Sequence, residues 1–251
     1  MPRILVRRPS PHLADGELTH LSRTPVDPDL ALQQWEGYVA AFAGRGWGVT
    51  EVEPADGHPD GVFVEDTVVV FDDLAVLTRP GVASRQGEVA SAERALDGLG
   101  LTVARITAPG TLDGGDVLKV GRTVYIGHGG RTNDAGIAQL AALVTPRGWT
   151  VEPVPVTTVL HLKSAVTALP DGTIVGTAPP ASALTPGLVV PEERGTAVVD
   201  LGGGAVVMSA DAPRTAELYR ARGLDVVPVA ITEFEKLEGC VTCLSVRLRH
   251  P

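Results

Sequence analysis

Cysteine is scarce in this chain, and long apolar runs are missing. Only two of the 251 residues are cysteines, Cys240 and Cys243, which argues against a framework of structural disulfides and favours a reducing, cytoplasmic compartment. No apolar stretch approaches the roughly 18 residues that a membrane-spanning helix needs. We therefore expect neither a disulfide-rich secreted domain nor a membrane protein.

An excess of basic residues is missing too. The chain has 21 Lys and Arg against 30 Asp and Glu, a formal net charge of −9 and a pI of about 5.1. This balance argues against nucleic acid or an anionic membrane as the main partner and suits a small cationic substrate. Glycine and proline are spread along the chain rather than pooled in a linker, so we expect a single domain over residues 1–251.

A four-residue pattern, Gly-x-x-Val, recurs after predicted helices. It occurs at 46–49, 100–103, 148–151 and 223–226, and the helices before it are predicted at 28–43, 88–99, 133–144 and 213–222. The gap before the last copy is the longest, and we expect a degenerate unit there, with a strand at 204–208. Such self-similarity indicates radial or stacked repetition, and strands joined through helices belong to the α/β class. We predict a closed ring of about five units.

Reactive side chains stand where a predicted strand begins in four of these units. The first two strands, at 68 and 117, follow carboxylates; the third follows an imidazole and the last a thiol. These residues are Asp60, Glu65, Asp66, Asp113, Asp116, His161 and Cys243. If the units surround one axis, we expect these side chains to face one another at its mouth.

The two cysteines have the spacing Cys-x-x-Cys, which in redox proteins usually opens a helix. Here the following residues alternate like a strand, on which positions three apart point to opposite faces. A bridge between Cys240 and Cys243 would then be awkward. Both could be small buried hydrophobic residues, but we favour Cys243 as a nucleophile at the strand mouth and Cys240 as a packing residue.

His161 lies in register with Asp113, each thirteen residues past its Gly-x-x-Val glycine. A thiol with an imidazole partner and an orienting carboxylate is the usual arrangement for activating cysteine. The remaining carboxylates would repel one another in a closed site unless a cation were present, either a metal or a guanidinium. Planar hydrogen bonding by carboxylates suits a guanidinium. Arginines in loops, among them Arg85 and Arg131, could bind a substrate carboxylate.

Several segments resemble one known family. They are Phe63-Val-Glu-Asp66, Arg79-Pro-Gly with Ser84-Arg85, Leu112-Asp-Gly-Gly-Asp-Val117, Arg131-Thr-Asn133, His161-Leu-Lys-Ser164 and Thr242-Cys243 with Ser245-Val246. In this order they resemble the dimethylarginine dimethylaminohydrolases, members of the guanidino-group-modifying (pentein) superfamily. The resemblance implies a five-bladed α/β propeller that hydrolyses Nω-methylated arginine to citrulline and an amine, with no metal or organic cofactor.

The resemblance also implies a role for each matching residue. Cys243 would be the nucleophile, His161 the general acid and base, and Asp113 the carboxylate that completes the triad. The implied binding residues are Asp60, Glu65 and Asp66 for the guanidinium, Arg85 and Arg131 for the α-carboxylate, Leu18 and Leu237 for the α-amino group through their carbonyls, and Ser164 for positioning. The turn-rich segment 9–28, which contains Leu18, is predicted to be a surface loop that could act as a lid.

Three alternatives stay open at this point. The nearest is another guanidino enzyme of the same fold, such as an arginine deiminase, an agmatine deiminase or an amidinotransferase. A binding module without catalysis is a second, which the intact set Cys243, His161 and Asp113 disfavours. A metal-dependent hydrolase that uses the acidic cluster is the third. A monomer and a homodimer are both compatible with the sequence.

Overall fold

The structure is a computed structural model and describes residues 1–249, so the last two residues of the predicted domain lie outside it. Within the described residues the strands are β1 (Arg3–Val6), β2 (Gly48–Glu51), β3 (Val68–Phe71), β4 (Leu74–Leu77), β5 (Thr102–Arg105), β6 (Val117–Val120), β7 (Thr123–His128), β8 (Thr150–Pro155), β9 (Val166–Ala168), β10 (Ile174–Gly176), β11 (Leu188–Val189), β12 (Val198–Gly202), β13 (Ala205–Ser209), β14 (Asp225–Val229) and β15 (Val246–Leu248). The helices there are α1 (Pro28–Ala43), α2 (Val89–Arg94), α3 (Asp134–Val144), α4 (Leu162–Ala165), α5 (Pro213–Ala221) and α6 (Thr232–Glu235). No helix of the described chain is long and apolar enough to cross a membrane.

The strands form five sheets of three strands, all with the same topology. In each sheet an inner strand runs antiparallel to a middle strand, which pairs in parallel with an outer strand. Four sheets use consecutive strands, whereas the remaining one has the order β15-β1-β2. The last strand of the chain is therefore the inner strand of the blade that the first strand begins, and this pairing closes the ring.

The five inner strands, β3, β6, β9, β12 and β15, line one central cavity of about 770 Å³. Five sheets that share one cavity along their inner edges are arranged as the blades of a propeller. The ring of five units expected from the sequence is confirmed by this architecture.

Helix α1 shows how local sequence sets the outer layer. Asp27 caps it by accepting hydrogen bonds from the backbone N–H groups of Asp29 and Leu30, and Pro28 occupies the first turn, where no N–H is needed. Its inner face buries Trp35 and Phe42, among others. Burial of such side chains contributes roughly 1.5–3 kcal/mol each and attaches the helix to the blade. The predicted bounds of this helix, 28–43, are confirmed.

The Gly-x-x-Val glycines share a backbone conformation that explains the repeat. Gly46, Gly100, Gly148 and Gly223 have φ between 70 and 86° and end a helical segment before an outer strand. This left-handed conformation costs an L-residue with a Cβ about 1 kcal/mol or more, which is why glycine recurs there.

A degenerate unit fills the longest gap between copies, as expected, but it does not contain the strand expected for it. Its blade is β9-β10-β11, and no helix connects its middle and outer strands in the described chain. The expected strand 204–208 is instead β13, the middle strand of the following blade. The short outer strand β11 also follows a Gly-x-x-Val, at 187–190, but no helix is predicted before this copy. Because no helix precedes it, Gly187 needs no left-handed turn.

Tight turns precede the inner strands and carry the reactive residues. They are the 3-10 turns Val64–Thr67 and Gly114–Asp116, the short helix α4 and the turn at 241–244. Since all inner strands run in the same direction around the axis, these turns meet at one end of the central cavity. This end of the propeller is where the site lies.

Candidate active site

The cysteine segment is a turn, which corrects the strand expected there. β15 begins at Val246, and the backbone N–H of Cys243 donates to the carbonyl of Cys240 at 3.1 Å. The Tyr38 hydroxyl fixes this turn by bonding to the Val241 carbonyl and the Ser245 hydroxyl, both at 2.8 Å. The two sulfurs consequently lie on the same side, 3.4 Å apart, and not on opposite faces. Cys240 packs against the core, as predicted, but it also contacts Cys243.

His161 and Asp113 form a buried pair. The His161 Nε2 lies 3.0 Å from Asp113 Oδ2, and both side chains are almost fully buried. The other oxygen of Asp113 accepts a hydrogen bond from the Gly81 N–H at 2.8 Å, which fixes the carboxylate. The adjacent Gly115 is required by close approach, because a Cβ there would lie 2.5 Å from His161 Nδ1. The two residues that stand at equal spacing after their Gly-x-x-Val glycines, His161 and Asp113, are thus in contact in the structure.

Electrostatics favours the protonated form of this histidine. Burial alone lowers the pKa of His161, but the carboxylate of Asp66 and the hydrogen bond to Asp113 outweigh burial and raise the pKa to about 9. His161 is therefore an imidazolium at neutral pH and can donate a proton to a leaving group.

Asp116 joins the histidine segment to its neighbours, a role that the sequence did not reveal. Its Oδ1 accepts a hydrogen bond from the Leu162 N–H at 2.9 Å, and its Oδ2 accepts one from the Thr132 hydroxyl at 2.7 Å. Burial raises the pKa of Asp116 to about 6, although the His161 charge and these hydrogen bonds oppose the rise. The only sequence signal for this role is its place in the motif Leu-Asp-Gly-Gly-Asp.

Asp66 and Asp60 provide the two remaining acidic groups beside the histidine. Asp66 accepts hydrogen bonds from the Gly115 N–H at 2.8 Å and from Arg85 Nη1 at 2.6 Å. Burial disfavours the Asp66 carboxylate, but His161 and Arg85 outweigh burial and hold its pKa well below the usual range. Burial raises the pKa of Asp60, whose carboxylate accepts the Glu17 N–H at 3.0 Å.

These groups enclose a small pocket beside Cys243. Its free volume is about 20 Å³, and Asp60, Asp66, His161 and Cys243 are among its lining residues. That volume holds about one water molecule. Only Cys243 of the two cysteines lines the pocket, which supports its choice as the nucleophile over Cys240.

The N-terminal loop closes the pocket through Glu238, which the sequence did not single out. The Glu238 carboxylate accepts the backbone N–H groups of Thr19, His20 and Leu21, at 3.1 Å for Thr19 and 2.7 Å for Leu21. Glu17 of the same loop also lines the pocket and accepts the Ser84 hydroxyl at 2.8 Å. A molecule larger than water can enter only if this loop moves.

Glu65 does not reach the pocket, contrary to the expectation that it binds the guanidinium. Its carboxylate bonds to Lys163 Nζ at 2.6 Å and to the Thr242 hydroxyl at 2.8 Å, and it faces the central cavity. The physical reason is that adjacent residues of a tight turn point to opposite sides. Asp66 and Cys243 face the pocket, so their neighbours Glu65 and Thr242 face away from it.

The two candidate carboxylate-binding arginines differ in how many donors are free. Arg85 bonds to both oxygens of Glu88, to Asp66 and to two backbone carbonyls, which occupies all but one of its five N–H donors. Arg131 lines the same pocket, where its guanidinium donates to the Thr19 hydroxyl at 3.3 Å and lies 3.8 Å from Asp113 Oδ2. The geometry therefore favours Arg131 for binding an anion and gives Arg85 a mainly structural position.

The remaining three predicted binding residues are placed differently from one another. Leu237 is buried and lines the pocket. Leu18 is half-buried, packs against the hydrophobic core and does not line the pocket, although its neighbour Glu17 does. Ser164 is half-buried in α4 and lies outside the residues that line the pocket. The predicted roles of Leu18 and Ser164 in substrate binding stay predictions.

A metal could in principle use the same donors. Asp66, Asp113 and His161 each place one potential ligand atom within 4.8 Å of the others. His161 Nε2 already lies 3.0 Å from Asp113 Oδ2, and Asp66 already pairs with Arg85 at 2.6 Å. The donor set thus fits proton transfer and the binding of an organic cation better than it fits metal binding.

A thiol beside an imidazolium, surrounded by carboxylates at the mouth of a five-bladed α/β propeller, defines a cysteine hydrolase of the guanidino-group-modifying class. No protein-family model matches the chain. A dimethylarginine dimethylaminohydrolase from Streptomyces coelicolor is 58% identical over 99% of this chain and 97% of its own length. A dimethylarginine dimethylaminohydrolase from Pseudomonas aeruginosa is 34% identical over 97% of this chain and 98% of its own length.

Solved structures agree with these sequence comparisons. A cysteine-to-serine variant of the Pseudomonas aeruginosa enzyme, in complex with citrulline, superposes with a TM-score of 0.89 at 32% identity and covers 98% of both chains. The chain belongs to the dimethylarginine dimethylaminohydrolase family. The five-bladed fold and the family predicted from the sequence motifs are confirmed.

Proposed function

We propose that this protein hydrolyses the guanidinium group of Nω-methylated arginine to citrulline and dimethylamine or methylamine. The observation that carries the proposal is one small pocket lined by Cys243, His161 and the carboxylates of Asp60 and Asp66, with Asp113 3.0 Å from the imidazole. Two relatives that align over nearly the whole chain are named for this activity, and one related structure contains citrulline.

In the first half-reaction the Cys243 thiolate attacks the guanidinium carbon. The C–N bond to the methylated nitrogen then breaks, and His161 gives that nitrogen its proton, which His161 carries at neutral pH because its pKa is raised to about 9. The products are the free amine and a covalent S-alkylthiouronium on Cys243. His161 is left neutral.

In the second half-reaction neutral His161 takes a proton from water, and the resulting hydroxide adds to the thiouronium carbon. The C–S bond breaks and the thiolate leaves, while loss of a proton from the new hydroxyl gives the ureido carbonyl of citrulline. That proton is equivalent to the one that the released amine takes up in water. Cys243 and protonated His161 are regenerated, and no metal or organic cofactor takes part.

The charges of the pocket suit both ends of this substrate. Asp66 and Asp60 would hold the guanidinium, and Arg131, assisted by the free donor of Arg85, would hold the α-carboxylate. The carbonyl of Leu237, a residue that lines the pocket, would accept from the α-amino group together with the carbonyl of Leu18 in the covering loop. Ser164, which does not line the pocket, would help to position the substrate indirectly.

Substrate ionises the thiol pair in this scheme. The hydrogen bond between the two sulfurs lowers the pKa of Cys240 to about 7, and the same contact together with burial raises that of Cys243. One proton therefore leaves the pair easily and the second does not. A bound guanidinium next to Cys243 draws the negative charge onto the Cys243 sulfur, where it is needed for attack.

The oligomeric state and the cellular compartment of the protein are also part of the proposal. A single catalytic domain, present as a monomer or a homodimer in a reducing cytoplasm, suits two free cysteines and a small cationic substrate. Light scattering of the purified protein measures the oligomeric state.

The decisive experiment compares wild type with Cys243→Ser. Each is incubated with asymmetric dimethylarginine, arginine or agmatine, and citrulline, carbamoylputrescine and released amine are measured. We expect citrulline and dimethylamine in equal amounts from wild type with dimethylarginine and none from Cys243→Ser. Undiminished activity in Cys243→Ser, or inhibition by a chelator with no effect of thiol alkylation, would contradict the mechanism.

A further inference from the structure

The second cysteine is not used by the proposed chemistry, yet it lies against the nucleophile. Cys240 Sγ is 3.4 Å from Cys243 Sγ, and the backbone N–H of Cys240 donates to Cys243 Sγ, also at 3.4 Å. Cys240 does not line the substrate pocket. Besides Cys243, its sulfur contacts the Thr242 hydroxyl at 3.4 Å. Its sulfur is therefore free to react with Cys243.

The backbone between the two residues permits a disulfide. The hydrogen bond from the Cys243 N–H to the Cys240 carbonyl, at 3.1 Å, closes a four-residue turn with the cysteines at its ends. The ends of such a turn lie within about 7 Å of each other in Cα positions, which overlaps the range that disulfides span. Contact between the sulfurs shows that both side chains already point toward each other. A disulfide needs only a small approach of the two atoms.

The pocket beside Cys243 has room for a molecule as small as an oxidant but not for an amino acid. Its volume of about 20 Å³ holds one molecule of about water's size, and hydrogen peroxide is little larger. Ionisation of one thiol is also easy, because the hydrogen bond from Cys243 lowers the pKa of Cys240 to about 7. A thiolate, the reactive form toward peroxide, is therefore present in the resting pair, 3.4 Å from the Cys243 sulfur that lines the pocket.

We propose that Cys240 and Cys243 form a thiol modification site, which hydrogen peroxide converts to a reversible intramolecular disulfide. One thiolate attacks an oxygen of the peroxide: an S–O bond forms, the O–O bond breaks, and the departing hydroxide takes up a proton to become water. The other sulfur attacks the sulfenic sulfur: the S–S bond forms, the S–O bond breaks, and a second water leaves. Two thiols are oxidised and one peroxide is reduced to two waters.

The disulfide has two consequences. It removes the thiolate from Cys243 and so stops the proposed reaction, a consequence that rests on the proposed function. It also protects Cys243 from sulfinic and sulfonic acid, which thiols do not reduce. Reduction by a dithiol restores both cysteines and the activity with them.

The test uses reduced wild type, Cys240→Ser and Cys240→Ala, each exposed to hydrogen peroxide. Remaining thiols are then alkylated and peptides are identified by mass spectrometry without reduction. Because the chain has only these two cysteines, the product is unambiguous. Activity is measured in parallel as a fraction of each variant's own starting rate, before and after dithiothreitol, and a non-reducing gel detects disulfides between chains.

We expect wild type to lose both alkylatable thiols, to show one peptide linked through 240 and 243, and to regain full activity with dithiothreitol. On prolonged exposure the two Cys240 variants should accumulate Cys243 sulfinic acid and regain little activity. Wild type that keeps its thiols, forms disulfides only between chains, or is inactivated as irreversibly as Cys240→Ser would overturn the proposal. A linked peptide with undiminished activity would support the modification site and overturn the assignment of Cys243 as nucleophile.

Discussion

At the scale of one residue, His161 shows how neighbouring charges set the protonation state of a side chain. A buried imidazole alone would be neutral at pH 7, but Asp66 and Asp113 raise its pKa to about 9. The protonated form stabilises the fold fully below the ordinary value of 6.5, and that stabilisation is lost as pH rises through about 9. The same two carboxylates therefore make the residue a proton donor and contribute to folding.

The loss of activity at high pH, the alkaline limb of the pH–rate profile, should follow this pKa. We expect kcat/KM for dimethylarginine to fall as pH rises through about 9, because His161 then loses the proton meant for the leaving amine. Asp113→Asn removes the negative partner 3.0 Å away and should move the limb to lower pH by roughly one to three units. The measurement is the pH profile of both proteins, and an unmoved limb in Asp113→Asn would count against the pair.

The two arginines of the pocket should respond differently to substitution. Arg131→Gln removes the cation with the most free donors, and we expect KM for dimethylarginine to rise about ten- to a hundredfold. An analogue without the α-carboxylate should be affected much less by the substitution. Steady-state kinetics with both compounds decides between a direct contact and a general loss of structure, which would affect both equally.

Arg85 should matter for stability instead. It is buried and pairs with Asp66 and Glu88, so Arg85→Gln leaves two carboxylates without their partner and should cost about 3–5 kcal/mol in the free energy of unfolding. Urea denaturation measures this cost. Arg94→Gln, which breaks an exposed pair with Glu53, is the control and should change stability little.

At the scale of elements, short turns position the reactive side chains and the N-terminal loop covers the pocket. Turns before β3, β6 and β15 and helix α4 present alternate residues to the pocket and to the central cavity, which is why Asp66 and Glu65 have separate surroundings. The loop over the pocket is held by backbone N–H groups that bond to Glu238 and Asp60, and by the packing of Leu18 against the hydrophobic core. Such a closure can open at modest cost.

Loosening this closure should be visible in amide exchange. Glu238→Gln replaces a carboxylate by a weaker neutral acceptor, and we expect faster hydrogen exchange at the amides of Thr19, His20 and Leu21. Glu217→Gln, an exposed change in α5, is the matched control and should leave these amides unchanged. Equal protection in both variants would show that other contacts hold the loop.

At the scale of the whole molecule, β15 closes the ring by pairing with β1. Leu248 is buried in this strand, and Leu248→Ala should lower the free energy of unfolding by about 2–5 kcal/mol. Val189→Ala in the outer strand β11, where the side chain is 52% exposed, should have a much smaller effect. Urea denaturation of both variants measures the difference, and equal effects would mean that closure by β15 contributes little.

Much of the fold was predictable because its signals are local. The left-handed glycines mark the end of each helical segment, and the capping residues of α1 mark its start. The strand at 204–208 was wrongly assigned to the blade without a helix, because the pattern of helix, glycine and strand is incomplete in that blade. The strand expected over 244–248 begins only at Val246, because tertiary hydrogen bonds from Tyr38 hold residues 241 and 245 in a turn.

The sequence by itself determined the class of fold and the family and named the residues expected to react, because each depends on residue types at short spacings along the chain. Only the tertiary structure decided which atoms meet. It turned Glu65 away from the pocket, occupied Arg85 with internal partners, and brought the Cys240 and Cys243 sulfurs to 3.4 Å. The reason is that a side chain's direction depends on the exact turn and on contacts from distant blades, which no local pattern encodes.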